Sequence, residues 1–318
     1  MSKIMFMFPG QGAQFVGMGK AMYDKYEKAR EVFDIASKVT GLDIPALCFK
    51  EDRTEFMTGD ADKINITEYT QIAMLTVEAA IYAVMEDRGL KCDYTAGLSL
   101  GEYGALIAAG VLSFEDAFKV VRQRGIFMQE AVPTGGAMAA VLGMDAEAIE
   151  KVCEDVSSDA GYVSIANYNC PGQIVITGEE AAVTKASEAL KEAGAKRVVP
   201  LNVSGPFHSK MLIPAGEKLG KVIDETSINE VKVPYVSNVT AELVTDSVNV
   251  KDLLVKQISS SVRWQQTIEL MLKEGVDTFV EIGPGKTLNG FMRKITKDEN
   301  VKTFHIETPE ELEAYVNR

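Results

Sequence analysis

The sequence has few of the residues that build disulfides or metal sites. It contains four cysteines and two histidines among 318 residues, and the cysteines have no CxxC spacing (Cys48, Cys92, Cys153 and Cys170). A chain of this length can fold around its apolar core without disulfides, and a zinc site needs clustered ligands. We therefore expect no disulfide and no bound metal, and we predict that the cysteines are small buried apolar residues.

Positive charge and long apolar runs are also scarce. The chain has 33 Lys and Arg against 46 Asp and Glu, a formal net charge of -13, which argues against nucleic acid as the main partner because phosphates need a basic surface. No apolar run reaches the roughly 20 residues that cross a bilayer. Residues 1–8 lack a cleavage site and are predicted to be a buried strand. We expect a cytoplasmic monomer that does not associate with membranes.

Short apolar runs alternate with longer amphipathic stretches, which is typical of an α/β domain with a mostly parallel sheet. The predicted strands are Ile4–Phe8, Tyr94–Leu98 and Thr278–Ile282, and the predicted helices are Ile72–Asp87, Phe114–Ala131 and Trp264–Lys273.

The pattern changes between Pro133 and Ser204. Short strands are predicted at 136–142, 162–167, 173–177 and 197–201, with helices at 145–156 and 179–193. The order β-α-β-β-α-β is that of a ferredoxin-like unit. We therefore predict a large α/β-hydrolase-like domain, formed by residues 1–132 and 205–318, with a ferredoxin-like subdomain inserted at 133–204.

The segment Ala96-Gly-Leu-Ser-Leu-Gly-Glu102 has the GxSxG pattern of a nucleophile elbow. A sharp turn between a strand and a helix needs small residues two before and two after the serine, and Gly97 and Gly101 supply them. Glu102 begins the predicted helix 102–110, where a carboxylate is favoured by the helix dipole. The pattern predicts acyl transfer through Ser99.

A serine nucleophile needs a base, and histidine is the usual one. His305 lies in a strand-like alternation near the C-terminus, as a packed or surface histidine does. His208 lies in a turn-rich loop between a strand and a helix, where catalytic side chains are commonly displayed, and it follows the serine in the chain. We favour His208. No acid between Ser99 and His208 has a recognisable setting, so the group that orients the imidazole stays open.

An arginine lies on the apolar stripe of the helix predicted at Phe114–Ala131. Arg124 is three residues after Val121 and four before Met128, whereas Arg122 falls off the stripe. A guanidinium on a buried face is costly unless it is paired. Arg124 therefore has either an internal acid partner or an anionic ligand, for which a carboxylate bound by both of its oxygens is suited.

The glycines in Phe8-Pro-Gly-Gln-Gly-Ala-Gln14 follow the first strand. They let backbone N–H groups approach a ligand closely, as an oxyanion hole requires. The segment is not a nucleotide loop. Met18 stands where a phosphate loop needs lysine, and the third small residue of a dinucleotide fingerprint is missing.

Together these motifs closely resemble the malonyl-CoA:acyl carrier protein transacylases of type II fatty acid synthesis and, more distantly, the acyltransferase domains of polyketide synthases. The resemblance covers nearly the whole chain. It rests on the ordered motifs Phe8-Pro-Gly-Gln-Gly, Gly97-Leu-Ser-Leu-Gly-Glu-Tyr, Gln123-Arg-Gly, Met128-Gln-Glu-Ala, Asn167-Tyr-Asn-Cys-Pro-Gly-Gln173, Val203-Ser-Gly-Pro-Phe-His208 and Glu281-Ile-Gly-Pro-Gly285.

The resemblance implies a role for each matching position. Ser99 would be acylated, His208 would be its base, and Arg124 would bind the malonyl carboxylate. The remaining implied residues are Gln11 and Leu100, whose backbone N–H groups would form the oxyanion hole, Gln257, whose main-chain carbonyl would orient the imidazole, and Asn169 in the cleft between the domains. One departure is visible, because Leu98 stands where the family usually has histidine.

The implied reaction is a ping-pong transfer of malonyl from malonyl-CoA to the phosphopantetheine thiol of acyl carrier protein. No cofactor is expected, since the thioester is a substrate and phosphopantetheine belongs to the partner protein. Two alternatives stay open. One is a serine thioesterase or esterase with water as acceptor, and the other is a non-catalytic module that binds the carrier protein.

Overall fold

A computed structural model describes residues 2–203 and 205–318, which form two main sheets and a two-stranded one at residues 57–62. The largest sheet has six strands, in the order β10 (Leu243–Val244), β9 (Tyr235–Val236), β4 (Tyr94–Gly97), β1 (Ile4–Phe8), β11 (Thr278–Ile282) and β12 (Lys302–Ile306). Its neighbours pair in parallel except for β10, which runs antiparallel to β9 at one edge. The predicted α/β fold with a mostly parallel sheet is confirmed.

The strands among the described residues are β1 (Ile4–Phe8), β2 (Met57–Thr58), β3 (Ala61–Asp62), β4 (Tyr94–Gly97), β5 (Gly136–Leu142), β6 (Val163–Cys170), β7 (Gln173–Glu179), β8 (Arg197–Pro200), β9 (Tyr235–Val236), β10 (Leu243–Val244), β11 (Thr278–Ile282) and β12 (Lys302–Ile306).

The α-helices are α1 (Lys20–Lys25), α2 (Glu27–Thr40), α3 (Ile44–Phe49), α4 (Thr67–Asp87), α5 (Gly101–Ala108), α6 (Phe114–Ala131), α7 (Ala146–Ala160), α8 (Glu180–Glu192), α9 (Ile213–Asp224), α10 (Val250–Gln257), α11 (Trp264–Lys273), α12 (Thr287–Ile295) and α13 (Pro309–Val316). No described helix has the length and apolar content to span a membrane.

The central strand β1 is buried on both faces, as expected where helices cover both sides of a parallel sheet. Phe6 and Phe8 pack into the larger core, to which α4 contributes, while Met5 and Met7 pack into a second core with α11. Alternate residues of a strand point to opposite faces, so β1 joins the two layers. Because β1 and β4 pair in parallel, with Phe8 opposite Gly97, the carboxyl ends of the two strands lie side by side.

The smaller sheet has four strands in the order β6-β7-β5-β8 and pairs antiparallel throughout. Helices α7 and α8 pack against it, and the chain order β5-α7-β6-β7-α8-β8 is the predicted ferredoxin-like one. The exact domain boundaries at 132/133 and 204/205 stay a prediction, and Ser204 itself lies outside the described residues.

Local predictions agree with the structure where the periodicity is strong. Helices α6 and α11 have the predicted bounds, whereas α4 begins at Thr67 and not at Ile72. The added turn carries polar residues, which the apolar run did not include. The four cysteines are free; three are buried, and Cys92 is partly exposed.

Candidate active site

Ser99 occupies a tight turn between β4 and α5. Its φ of 54° lies in the left-handed region, which is uncommon for a residue with a side chain and is often found at functional sites. A Cβ on Gly97 would lie 1.9 Å from the carbonyl of Gly101, and a Cβ on Gly101 would lie 2.1 Å from the carbonyl oxygen of Phe8. Both positions therefore require glycine, as the sequence pattern predicted.

A side chain that the sequence analysis did not single out holds this turn in place. The Asn238 Oδ1 accepts a hydrogen bond from the Ser99 backbone N–H at 2.6 Å, and its Nδ2 donates to the Gly97 carbonyl at 2.7 Å. Asn238 is buried just beyond β9. It bonds the backbone at two points directly before the serine side chain and so fixes the strained turn.

His208 lies against the serine hydroxyl. Its Nε2 is 2.7 Å from the Ser99 Oγ, and its Nδ1 is 3.0 Å from the Gln257 carbonyl oxygen and 3.1 Å from that of Ser260. Carbonyl oxygens only accept, so the proton belongs on Nδ1 and the Nε2 lone pair faces the hydroxyl. The backbone of His208, at φ 58°, is also left-handed.

Main-chain carbonyls at the end of a helix occupy the position of a third acid. Gln257 is the last residue of α10, where carbonyls lack partners within the helix and carry the negative end of its dipole. Burial lowers the pKa of His208 to about 4, and the positive charge of Arg124 acts in the same direction. The imidazole is therefore neutral near pH 7, as a general base must be.

Arg124 is completely buried beside the serine. Its Nη1 donates to the Gln71 Oε1 at 2.7 Å, and its Nη2 donates to the Gln257 Oε1 at 3.0 Å and to the Ser99 Oγ at 3.2 Å. Within the described residues no carboxylate forms an ion pair with it, and its Nε has no hydrogen-bond partner. The sequence left two alternatives for Arg124, an internal acid partner or an anionic ligand. Among the described residues the internal ion pair is absent.

Burial lowers the pKa of Arg124, although neighbouring Tyr103 and Glu102 act in the opposite direction. Its guanidinium lies 5.5 Å from the centre of the Tyr103 ring. Arg122, two residues earlier, has a different environment. It is partly exposed and pairs with Glu68 at 3.1 Å. The cation that faces the serine is thus held by neutral groups, and the cation outside it is paired with a carboxylate.

These residues surround a cavity of about 380 Å³ between the two sheets. Ser99, His208 and Arg124 line it, and so do Gln11, Leu100, Asn169 and Leu98. Gln257 lies behind this lining, fully buried.

The predicted oxyanion residues come from two adjacent turns. Gln11 follows β1 and Leu100 follows Ser99, and both line the cavity. Gly10 packs so closely against Leu98 that a Cβ would lie 2.6 Å from its carbonyl oxygen, which keeps the two turns in contact. The Gln11 side chain donates to the Thr67 Oγ1 at 3.1 Å. This bond holds the Gln11 side chain, so that only the backbone N–H of Gln11 is assigned to the predicted oxyanion hole.

The smaller sheet contributes polar groups from the opposite wall. Asn169, on β6, is buried and its Oδ1 has no hydrogen-bond partner among the described residues.

His305 does not line this cavity. It lies on β12 and bonds Glu311 at 3.0 Å and the Gly283 carbonyl at 3.1 Å, as a packed histidine does.

Gln71 and Glu102 were not predicted as site residues. Gln71 lies in the polar first turns of α4, just before the apolar run that begins at Ile72, and no pattern in the sequence marks it. Glu102 was expected only to favour the start of α5, yet its side chain is fully buried.

Comparison with known proteins identifies the family to which this chain belongs. The acyl transferase domain family matches residues 5–307. The malonyl CoA-acyl carrier protein transacylase of Bacillus subtilis (strain 168) is 48% identical over 99% of this chain and 97% of its own length. The solved transacylase of the same name from Clostridium perfringens superposes with a TM-score of 0.92 at 44% identity, covering 99% of this chain and 96% of that one.

A further solved structure holds a type II polyketide acyl carrier protein in complex with its malonyl-transacylase. It matches with a TM-score of 0.92 at 36% identity and covers 99% of each chain. The family match spans most of the chain, and the relatives cover nearly all of it. The resemblance inferred from the motifs is therefore confirmed, and the chain belongs to the acyl transferase family.

Proposed function

We propose that this protein transfers the malonyl group from malonyl-CoA to the phosphopantetheine thiol of acyl carrier protein through a malonyl ester on Ser99. The observation that carries the proposal is the position of Arg124. A buried guanidinium with no carboxylate partner among the described residues lies 3.2 Å from the nucleophile, beside a serine and histidine in hydrogen-bond contact. An acyl group that ends in a carboxylate satisfies this cation while its thioester reaches the serine.

The first half of the reaction acylates the serine. His208 takes the hydroxyl proton through Nε2 while the Ser99 Oγ attacks the thioester carbon. The carbonyl oxygen becomes an oxyanion, for which the backbone N–H groups of Gln11 and Leu100 are the proposed donors. The tetrahedral intermediate collapses, the carbon–sulfur bond breaks, and CoA leaves with the proton from His208.

The second half repeats these steps in reverse. The pantetheine thiol of the carrier protein gives its proton to His208 and attacks the ester of malonyl-Ser99. The carbon–oxygen bond breaks, and the serine recovers its proton from His208. His208 can act as base and then acid in each half because its neutral form is the resting state, and the carbonyls of Gln257 and Ser260 hold the ring through both transfers.

Selectivity for malonyl follows from burial. Arg124 is held by amide and hydroxyl oxygens, which orient it without neutralising its charge. An acetyl group fills the same cavity but leaves the charge unpaired, and an unpaired buried charge is costly.

The relatives named above support the same transfer, since they carry the name of malonyl CoA-acyl carrier protein transacylase and one was solved with an acyl carrier protein. We propose that neither a metal nor a further cofactor takes part. Cytoplasmic location and a monomeric state stay predictions.

The experiment follows acylation by intact-protein mass spectrometry after brief incubation with malonyl-CoA. Wild type is expected to gain one malonyl group, which a chase with holo acyl carrier protein removes and transfers to the carrier thiol. Ser99→Ala is expected to gain none, and His208→Ala is expected to gain it about 10² to 10⁴ times more slowly.

Other outcomes identify the alternatives. If water removes the adduct as fast as the carrier protein does, the enzyme is a thioesterase. If folded wild type, checked by circular dichroism, forms no adduct at all, the proposal is wrong and the non-catalytic carrier-binding module is favoured.

A further inference from the structure

We propose that Glu102 is a positioning residue for Arg124 and acts on it through the side-chain amide of Gln257. The inference deepens the proposed function, because it takes Arg124 to be the group that binds the malonyl carboxylate. It concerns a carboxylate that touches neither the cavity nor the nucleophile's hydroxyl.

The side chain of Gln257 connects three parts of the site. Its Oε1 accepts from the Arg124 Nη2 at 3.0 Å. Its Nε2 donates to the Ser99 carbonyl oxygen at 2.8 Å and to the Glu102 Oε2 at 2.7 Å. Both donor hydrogens of this buried amide and one lone pair of its oxygen are used between the elbow and the arginine.

Glu102 and the Ser99 carbonyl oxygen together decide which way this amide points. An amide can be turned over with little change of shape, exchanging its oxygen and its nitrogen. The Oε2 of Glu102 accepts from Gln257 and, at 3.4 Å, from the backbone N–H of Asn238. With two donors directed at it, this oxygen stays an acceptor even if the carboxyl is protonated, since the proton then lies on Oε1. The NH₂ of Gln257 must face Glu102, so its oxygen must face Arg124.

The opposite orientation would place an NH₂ group against a guanidinium, donor against donor. Arg124 would lose the acceptor that holds its Nη2 beside the serine. Glu102 forms no ion pair with Arg124 but contributes negative potential to it, which raises the arginine's pKa. The guanidinium of Arg124 therefore keeps N–H groups available for a ligand carboxylate. Glu102 and Gln257 fix its orientation from the side away from the cavity.

The chain supplies a matched control in Glu78. This second carboxylate is also fully buried, on α4, and burial raises its pKa well above the usual range. Neither of its oxygens has a hydrogen-bond partner in the described residues, and its side chain packs near Gly104 and Gly283. A change at Glu78 tests what loss of a buried carboxylate does on its own.

The test compares the rates at which malonyl-CoA and acetyl-CoA acylate Ser99, each as kcat/KM, in Glu102→Leu, Glu102→Gln and Glu78→Gln. Glu102→Leu removes one of the two acceptors of the Gln257 NH₂ and leaves the Ser99 carbonyl, and we expect it to lower the malonyl value about 10-fold, by analogy with the loss of groups that orient metal ligands. The acetyl value is expected to change less than about threefold, because acetyl does not use the arginine.

Glu102→Gln can still present an oxygen to Gln257 and is expected to keep the malonyl preference. Glu78→Gln is expected to leave the ratio of the two values unchanged. A purely structural role would lower both substrates together, so equal losses in Glu102→Leu would overturn the inference. It would also fail if Glu102→Gln were as defective for malonyl as Glu102→Leu.

Gln257→Leu provides an independent arm, since it removes the amide but keeps the main-chain carbonyl that holds His208. It is expected to lower both values through the lost bond to the Ser99 carbonyl and to lower the malonyl value several-fold further, and adding Glu102→Leu to it is expected to cost nothing more. If Glu102→Leu does not fold, as judged by its thermal transition, Gln257→Leu decides alone, and equal losses with both substrates overturn the inference. Absence of malonyl transfer in wild type would instead overturn the proposed function.

Discussion

The two ends of the cavity are built from different materials. At the nucleophile end, Ser99 and His208 both have left-handed φ values and main-chain carbonyls hold the imidazole, while the side chains of Asn238 and Gln257 bond the backbone of the turn. At the arginine end, the side-chain amides of Gln71 and Gln257 hold Arg124.

The difference suggests that chemistry and substrate choice can be altered separately. A main-chain carbonyl is kept when the side chain of its residue is replaced, so the hydrogen bonds that hold His208 are expected to survive substitutions at the residues that supply them. Amide side chains can be exchanged one at a time, so the arginine end is expected to be the place where acyl preference is changed. If the two ends are independent, their variants must differ in whether the loss depends on the substrate.

The largest effect is expected for Arg124→Ala, which should lower kcat/KM for malonyl-CoA about 100-fold, since truncating one partner of a buried charge pair costs 2–5 kcal/mol or more. The acetyl value is expected to hold or rise, which shifts preference toward acetyl. Competition between the two thioesters, read by mass spectrometry of Ser99, measures this. The control is Arg122→Ala, which removes the partly exposed ion pair between Arg122 and Glu68. Unchanged relative rates in Arg124→Ala would contradict the assignment.

A smaller effect, and one without substrate preference, is expected for Asn238→Ala. It leaves the Ser99 N–H and the Gly97 carbonyl without their partner, which costs about 1–3 kcal/mol for each buried group left unpaired. We expect a lower thermal transition and about a tenfold loss of acylation with both thioesters. A loss confined to malonyl would show that the two ends are coupled through the elbow.

The smallest effect is expected from pH, because the base already stays neutral over most of the useful range. His208, with its pKa lowered from 6.5 to about 4, becomes protonated only as pH falls through that value, and then its Nε2 can no longer accept the serine proton. Acetylation of Ser99 is expected to be flat from pH 6 to 8 and halved near pH 4. Acetyl-CoA is the suitable substrate because it has no carboxyl of its own to titrate. A midpoint near 6.5 would mean that the ring is not buried as described.

Much of the fold could be predicted because the signals are local. The alternation of apolar runs located β1, β11, α6 and α11, and the two glycines of GxSxG located the elbow. The apolar stripe on α6 predicted a buried Arg124 and placed Arg122 off the buried face. Each of these rests on residues within about two helical turns, where periodicity reports which face is buried.

The supporting contacts could not be predicted, because they join distant parts of the chain. Asn238 reaches Ser99 across 139 positions, and Gln257 reaches Glu102 across 155. A single amide or carboxylate has no periodicity that would indicate such a partner. The same holds for Gln71, which reaches Arg124 across 53 positions.

The use of main-chain carbonyls to orient His208 has a consequence for genetics. Every amino acid brings the same carbonyl, so replacing the residue at position 257 or 260 does not delete the atom that accepts from the imidazole. A saturation scan of coding variants would record a serine, a histidine and an arginine as intolerant and would record position 257 only through its side-chain amide, so no substitution would reveal the carbonyl as the third member of a triad. The position of this carbonyl depends on where helix α10 ends. Insertions, deletions or prolines that move the helix terminus would therefore reveal its role.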